Sequence, residues 1–374
     1  MVDDRNISLP LDLKISENEN ELNDWKSLRD TVGNDKLFIC QINDPGPQAC
    51  RYTFAKSPIG YSRAPSEIRR RFPNNILFND ANQLTVNEID IVVGKFVRSA
   101  KYLQQIGFDG VQVHASHGYL LSSFMTPLTN SRGDEYGLKR SKITIDIINS
   151  IKLECGSDFC VGVKLNSSDF VKGGLDTTQA FENFKQISEQ TDVDFIEISG
   201  GNYDSLEFLS RSSGVFFEEF AKYIRDYFSD GLNDEDKPCI MLTGGFRNRK
   251  VIDRVLNDKI CDLVGIGRPA CIDDNVAWKL SSDSNCIINT TDYEVDSVFG
   301  VKTLGFIGGS IRTLGYVLHL HRFARNNTHI PFKGFGIELF TELLRGLIEL
   351  LKLYSFSIVI IIFVIIVTTF LSIH

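Results

Sequence analysis

Hydrophobic positions along the chain follow two alternating periods. Runs of strand length, apolar throughout or at every second position, stand at 37–42, 110–114, 160–165, 195–199, 239–243 and 261–266. Between and before them, apolar residues recur at helical spacing over 17–32, 85–107, 142–154, 178–190, 216–228 and 247–257. The stretch 85–107 has the clearest stripe, Ile89, Val92, Val93, Phe96, Ala100 and Leu103, and opens with Thr85 three residues before Glu88. That pair predicts a capping box, in which side chain and backbone satisfy each other at the helix start. Strand, helix, strand, helix in this order predicts a parallel sheet covered by helices, an α/β protein of the TIM-type (β/α)8 barrel class. A closed barrel of that class has eight strands. Six are visible and nothing before residue 37 has strand character, so the expectation is an amino-terminally incomplete barrel lacking its first two βα units.

The remaining segments read as connections. Residues 1–16 are polar and irregular. Asn43-Asp-Pro-Gly-Pro47 is a loop, because two prolines and a glycine forbid regular structure. Residues 48–85 read as a long loop over the barrel mouth, with Arg69-Arg70-Arg71 as a solvated surface. A last short helix follows Arg268, a polar linker covers 283–301, and 304–325 is amphipathic. The expected division is a barrel domain at 1–325, an amphipathic linker at 326–352 and an apolar tail at 353–374. The tail, LYSFSIVIIIFVIIVTTFLSIH, lacks Asp, Glu, Lys and Arg. About 20 apolar residues suffice for a helix to cross a bilayer. The tail therefore predicts a single-pass C-terminal membrane anchor. The barrel would face the cytosol, at the endoplasmic reticulum or mitochondrial outer membrane; a buried core helix is the alternative.

Composition narrows the class further. The chain has 374 residues, a net charge of −8 and no basic stripe, so nucleic acid is not an expected partner. Its eight cysteines are scattered, without CxxC or a metal-ligand spacing, and read as reduced thiols.

The candidate chemistry begins at Val111. The run VQVHASHGYLLSSFMTPLTNSRGDEYG places His114 at a strand end and His117 and Tyr119 on the loop beyond it. In a β/α barrel, residues leaving the C-terminal ends of the strands face the active site. Two imidazoles and a phenol there can bind an oxyanion and deliver a proton. Two other strand ends carry glycine: Thr243-Gly-Gly-Phe246 and Gly265-Ile-Gly-Arg-Pro269. Glycine lets backbone N–H groups approach a phosphate closely, and an arginine adds charge-assisted bonds.

The H-x-x-H-G-Y-L run, followed by S-x-F-x-x-P-x-x-N-x-R-x-D-E-Y-G, resembles the old yellow enzymes, FMN-dependent NAD(P)H:flavin oxidoreductases. The resemblance covers about residues 1 to 325, and Met1-Val-Asp-Asp-Arg resembles an internal stretch of the family. It implies FMN as cofactor, NADH or NADPH as reductant and an enone-like small molecule as acceptor. It assigns Gly244, Gly245, Gly267 and Arg268 to the FMN phosphate, and Gln41 and Lys164 to the polar edge of the flavin ring. His114, also on the cofactor side, and His117 would bind the carbonyl oxygen of an α,β-unsaturated substrate, with Tyr119 as proton donor. The sequence departs from the family pattern at Asp44 and Pro47, where histidine and arginine are usual, and at Leu138, where a second glycine is usual. A non-catalytic membrane-tethered remnant is the alternative function.

Overall fold

In the computed structural model of the chain, residues 1–2, 15, 19–33, 35–49, 62–70, 78–201, 217–229, 237–288, 297–298 and 301–302 are described. The chain forms two compact units, Met1–Ile266 and Gly267–His374.

The first unit is built on one parallel sheet of six strands: β1 (Ile39–Ile42), β2 (Gly110–Ala115), β3 (Cys160–Asn166), β4 (Phe195–Ser199), β5 (Cys239–Thr243) and β6 (Leu263–Gly265). They pair in sequence order from β1 to β6. The strands read as six in the sequence are thus six in this sheet among the described residues. The last is shorter than expected: Asp262 spends its carboxylate on the Ile240 N–H and on Arg225 instead of extending the strand.

Period-two alternation explains the two faces of the sheet. Val111, Val113, Val161, Val163, Ile196, Ile198, Ile240 and Leu242 all point one way and all are buried. Helices cover that face: α1 (Val86–Gln105), α2 (Lys142–Cys155), α3 (Thr177–Gln190) and α4 (Glu218–Ser229). Each presents an apolar stripe, such as Ile89, Val92, Phe96, Ala100 and Leu103 on α1 or Phe220, Ile224 and Phe228 on α4. Burying each aliphatic side chain of this set contributes about 1.5–3 kcal/mol, which makes this layer the core. The Thr85–Glu88 capping box is formed as the spacing predicts, and a second one, Asp176 with Gln179, starts α3.

The opposite face carries the polar alternates. Register places Gln41 beside Gln112, His114 beside Lys164, Lys164 beside Glu197, and Asn166 beside Ser199. This face also holds apolar residues, Met241 beside Glu197 and Phe195, which lies across Gly162, where a Cβ would fall 2.1 Å from its ring.

The region expected to be one long loop is tied down where it is described. Arg63–Ala64 pairs with Asn82–Gln83 in parallel, and Ile68 bridges Ala81. Arg70, expected as solvated, is half-buried; its guanidinium donates to Pro47 O at 2.8 Å and lies over the Phe78 ring. The Pro45-Gly-Pro47 loop contains the short 3-10 turn Gly46–Gln48. Gly46, at φ +52°, packs so tightly on Leu120 that a Cβ would fall 2.7 Å from its backbone.

One part of the expected fold is corrected. Among the described residues no helix is long and apolar enough to cross a membrane. The barrel class stands, no described helix supplies the expected membrane span, and the membrane partner and localisation drawn from it have no support. The segment 353–374 on which they rested lies outside the described residues, as do the amphipathic stretches 304–325 and 326–352.

Candidate active site

The C-terminal end of β2 and the loop after it carry the chemistry. His114 is buried, and its Nδ1 accepts the Ser116 backbone N–H at 3.3 Å. A backbone N–H can only donate, so the ring proton of neutral His114 must sit on Nε2. That Nε2 lies 3.3 Å from His117 Nδ1, which therefore accepts. The proton of neutral His117 is then on Nε2, 2.8 Å from Ser199 Oγ. One fixed donor thus sets both tautomers, and the His117 N–H points outward from the pair.

Neither ring takes up a second proton near neutral pH. Burial, then His117 and the nearby Lys164 ammonium, hold His114 well below the ordinary imidazole range. Burial and Lys164 bring His117 down to about 3. Tyr119 closes the group: its ring meets His114 edge-on, centroids 4.9 Å apart at 75°. His114, His117 and Tyr119 are therefore brought together as the sequence spacing implied.

The backbone is bent to achieve this. His117 has φ +63°, a conformation costly for a residue with a Cβ. It is held by its N–H donating to Asn166 Oδ1 at 3.1 Å, while Asn166 Nδ2 donates to Asp169 Oδ1 and Gly201 O, each at 3.0 Å. Asp44, standing where the family pattern has histidine, is buried and ion-paired to the equally buried Arg63. It also accepts the Gly46 N–H at 2.9 Å, so at this position the chain has a structural carboxylate.

Gln41 and Lys164 belong to a four-residue network on the polar face. Gln41 Nε2 donates to Gln112 Oε1 at 2.5 Å, and Gln112 Nε2 donates to Glu197 Oε2 at 2.7 Å. Lys164 Nζ lies 2.9 Å from Glu197 Oε1. Gln112, Glu197 and Asn166 were not singled out in the sequence. Alternation could have found Gln112, two residues before His114; Glu197 needs the β3–β4 register as well.

At the end of β5, Gly244 and Gly245 adopt φ +125° and +82°. Beside them Thr243 Oγ1 is buried without a hydrogen-bond partner among the described residues. A Cβ on Gly265 would fall 1.9 Å from that oxygen, so only glycine fits there. Gly267 and Arg268 lie in the second unit, where Gly267 precedes the helix Arg268–Ile272 and a Cβ on it would meet nothing within 4 Å.

Residues 8–285 match the family described as NADH:flavin oxidoreductase / NADH oxidase. The chain belongs to that family. This NADH:flavin oxidoreductase family member is 34% identical over 258 residues to the NADH-dependent flavin oxidoreductase iliE of Hypocrea jecorina, covering 63% of this chain and 62% of that one. It is 33% identical over 260 residues to iccE of Talaromyces variabilis, of the same description, covering 63% of this chain and 60% of that one. The chain thus spans a little over half the length of these curated relatives. The old yellow enzyme homologue from Zymomonas mobilis shares its fold, with a TM-score of 0.61 at 20% identity over 82% of both chains. Family membership brings FMN and NADH as the family's cofactor and reductant. The residues present fit such a group: the unpartnered Thr243 hydroxyl beside two glycines, and a polar edge at Gln41 and Lys164.

Proposed function

We propose that this chain is an FMN-dependent oxidoreductase that takes electrons from NADH or NADPH and reduces the alkene of an α,β-unsaturated carbonyl compound. The observation that carries this reading is the neutral histidine pair with Tyr119 against it. When bound, FMN would supply the hydride chemistry that links the nicotinamide to the acceptor.

The chain's own residues do the rest. A substrate carbonyl oxygen takes over the His117 Nε2–H from Ser199 Oγ, and His114 holds the His117 ring in the donating tautomer. A neutral imidazole polarises the carbonyl without a transferable second proton. Tyr119 Oη would supply the proton to the α-carbon, where electron density collects once the bound cofactor has given hydride to the β-carbon. A phenol is a weak acid, but an enolate is basic enough to take its proton. Lys164 keeps a positive charge beside the site, which favours negative charge developing on bound groups. Gly244, Gly245 and the Thr243 hydroxyl offer donors to a phosphate. For Gly267 and Arg268 the phosphate role rests on the sequence resemblance.

Two variants test the reading. In Tyr119→Phe, reduction of enzyme-bound flavin by NAD(P)H should persist while the enone half-reaction slows by about 10²-fold or more, the usual worth of a positioned acid. His114→Ala should weaken binding of phenolate and enone ligands. Equal loss of both half-reactions in Tyr119→Phe removes that residue as proton donor.

A further inference from the structure

The four-residue network on the polar face has a direction, and Glu197 sets it. A carboxylate only accepts, so Glu197 takes the Gln112 Nε2–H on one oxygen and the Lys164 ammonium on the other. Gln112 is thereby turned with Oε1 toward Gln41, which must answer with its Nε2–H. The Gln41 amide then has its oxygen left for a ligand, so the site offers an acceptor at Gln41 and a cation at Lys164. Glu197 is buried and the Lys164 side chain is 15% exposed, so the ion pair is shielded from solvent screening.

We propose that Glu197 is a positioning residue for the cofactor. It selects a ring whose polar edge carries an N–H donor beside carbonyl acceptors, the imide pattern of a flavin. It also offsets part of the Lys164 charge and so sets how strongly the site favours reduced over oxidised flavin. This rests on the function proposed above. A carboxylate serving packing alone predicts neither effect, because neither the ligand's N–H nor its charge would sense it.

The test compares the full chain with its Glu197→Gln variant, by titration with FMN and with N3-methyl FMN and by measuring the bound-flavin potential against a reference dye. The amide presents a donor on one side. It either opposes the Lys164 ammonium or turns Gln112 and Gln41 around. We expect FMN affinity to fall about tenfold and the preference for FMN over the N3-methyl form to shrink by a similar factor. We also expect reduced flavin to gain about tenfold in binding relative to oxidised flavin, a rise of about 30 mV for a two-electron couple. A wild-type chain that binds no FMN overturns the proposed function and this inference with it. A wild-type chain that binds FMN, with unchanged discrimination and potential in Glu197→Gln, overturns the inference alone. Should that variant not fold, Gln112→Leu decides. It cuts the relay and keeps the ion pair, so discrimination should fall at constant potential, and unchanged discrimination refutes the role.

Discussion

His117 makes the stability of the fold depend on pH in a calculable way. Its imidazole has an ordinary pKa near 6.5 in an unfolded chain and about 3 in the folded one, chiefly because burial disfavours the charged ring. The unfolded state therefore binds more protons between these values, and stability present above pH 6.5 is lost as pH falls toward 3. Each proton bound differentially costs about 1.36 kcal/mol per pH unit. From pH 7 to pH 5 the unfolded ring gains most of a proton and the folded ring almost none, which costs about 2 kcal/mol. The ring is part-exposed, so this figure is a ceiling. His114, also depressed and fully enclosed, adds to the loss with the same sign. The measurement is urea unfolding at pH 7, 6 and 5 for the wild type and for His117→Gln. The wild type should lose about 1–2 kcal/mol more than the variant across that range. Parallel losses in the two proteins would show that His117 is charged in the fold, and the neutral-pair argument would go with it.

Two further substitutions probe the frame around the site. Asp44→Ala removes the carboxylate that ion-pairs with the buried Arg63 guanidinium and accepts the Gly46 N–H, so it should cost about 3–5 kcal/mol in urea unfolding; a loss below about 1 kcal/mol would mean that the ion pair is not what holds Arg63 in place. Gly265→Ala pushes a methyl onto Thr243 Oγ1 and should cost about 1–3 kcal/mol, with part of it recovered when Thr243→Ala is added, since contacts with Met241 Cε and the residue-243 Cβ remain. Additive losses in that pair, read by thermal melts, would rule out the contact as the cause.

The strands and helices were legible because each carries its period on a buried face. The expected 110–114, 160–165, 195–199 and 239–243 lie within one residue of the observed strands. His114, His117 and Tyr119 were legible because six consecutive residues hold all three. The Asp44–Arg63 pair was not, since the partners stand nineteen positions apart in the chain and neither has a local signal. Arg70 misled for a related reason: a run of arginines says nothing about a carbonyl, Pro47 O, twenty-three residues away. Glu197 sits in an apolar run, where one acidic residue looks like an interruption until the register sets it beside Lys164.

The two polar chains share one logic, and it bears on why the site tolerates so much buried polarity. Each starts from a group that cannot reverse its role. In the histidine chain it is the Ser116 backbone N–H, which only donates; in the glutamine chain it is Glu197, which only accepts. Groups that could point either way, two imidazoles in one chain and two amides in the other, are thereby forced into one arrangement. The first chain ends in a donor, His117 Nε2–H, and the second in an acceptor, the Gln41 amide oxygen. A ligand that engaged both ends would meet complementary groups whose tautomer and amide orientation are already set. Preorganisation of this kind lowers the cost of binding without adding contacts. It also explains why a single isosteric change at Glu197, which acts through Gln112, Gln41 and Lys164, is expected to alter recognition.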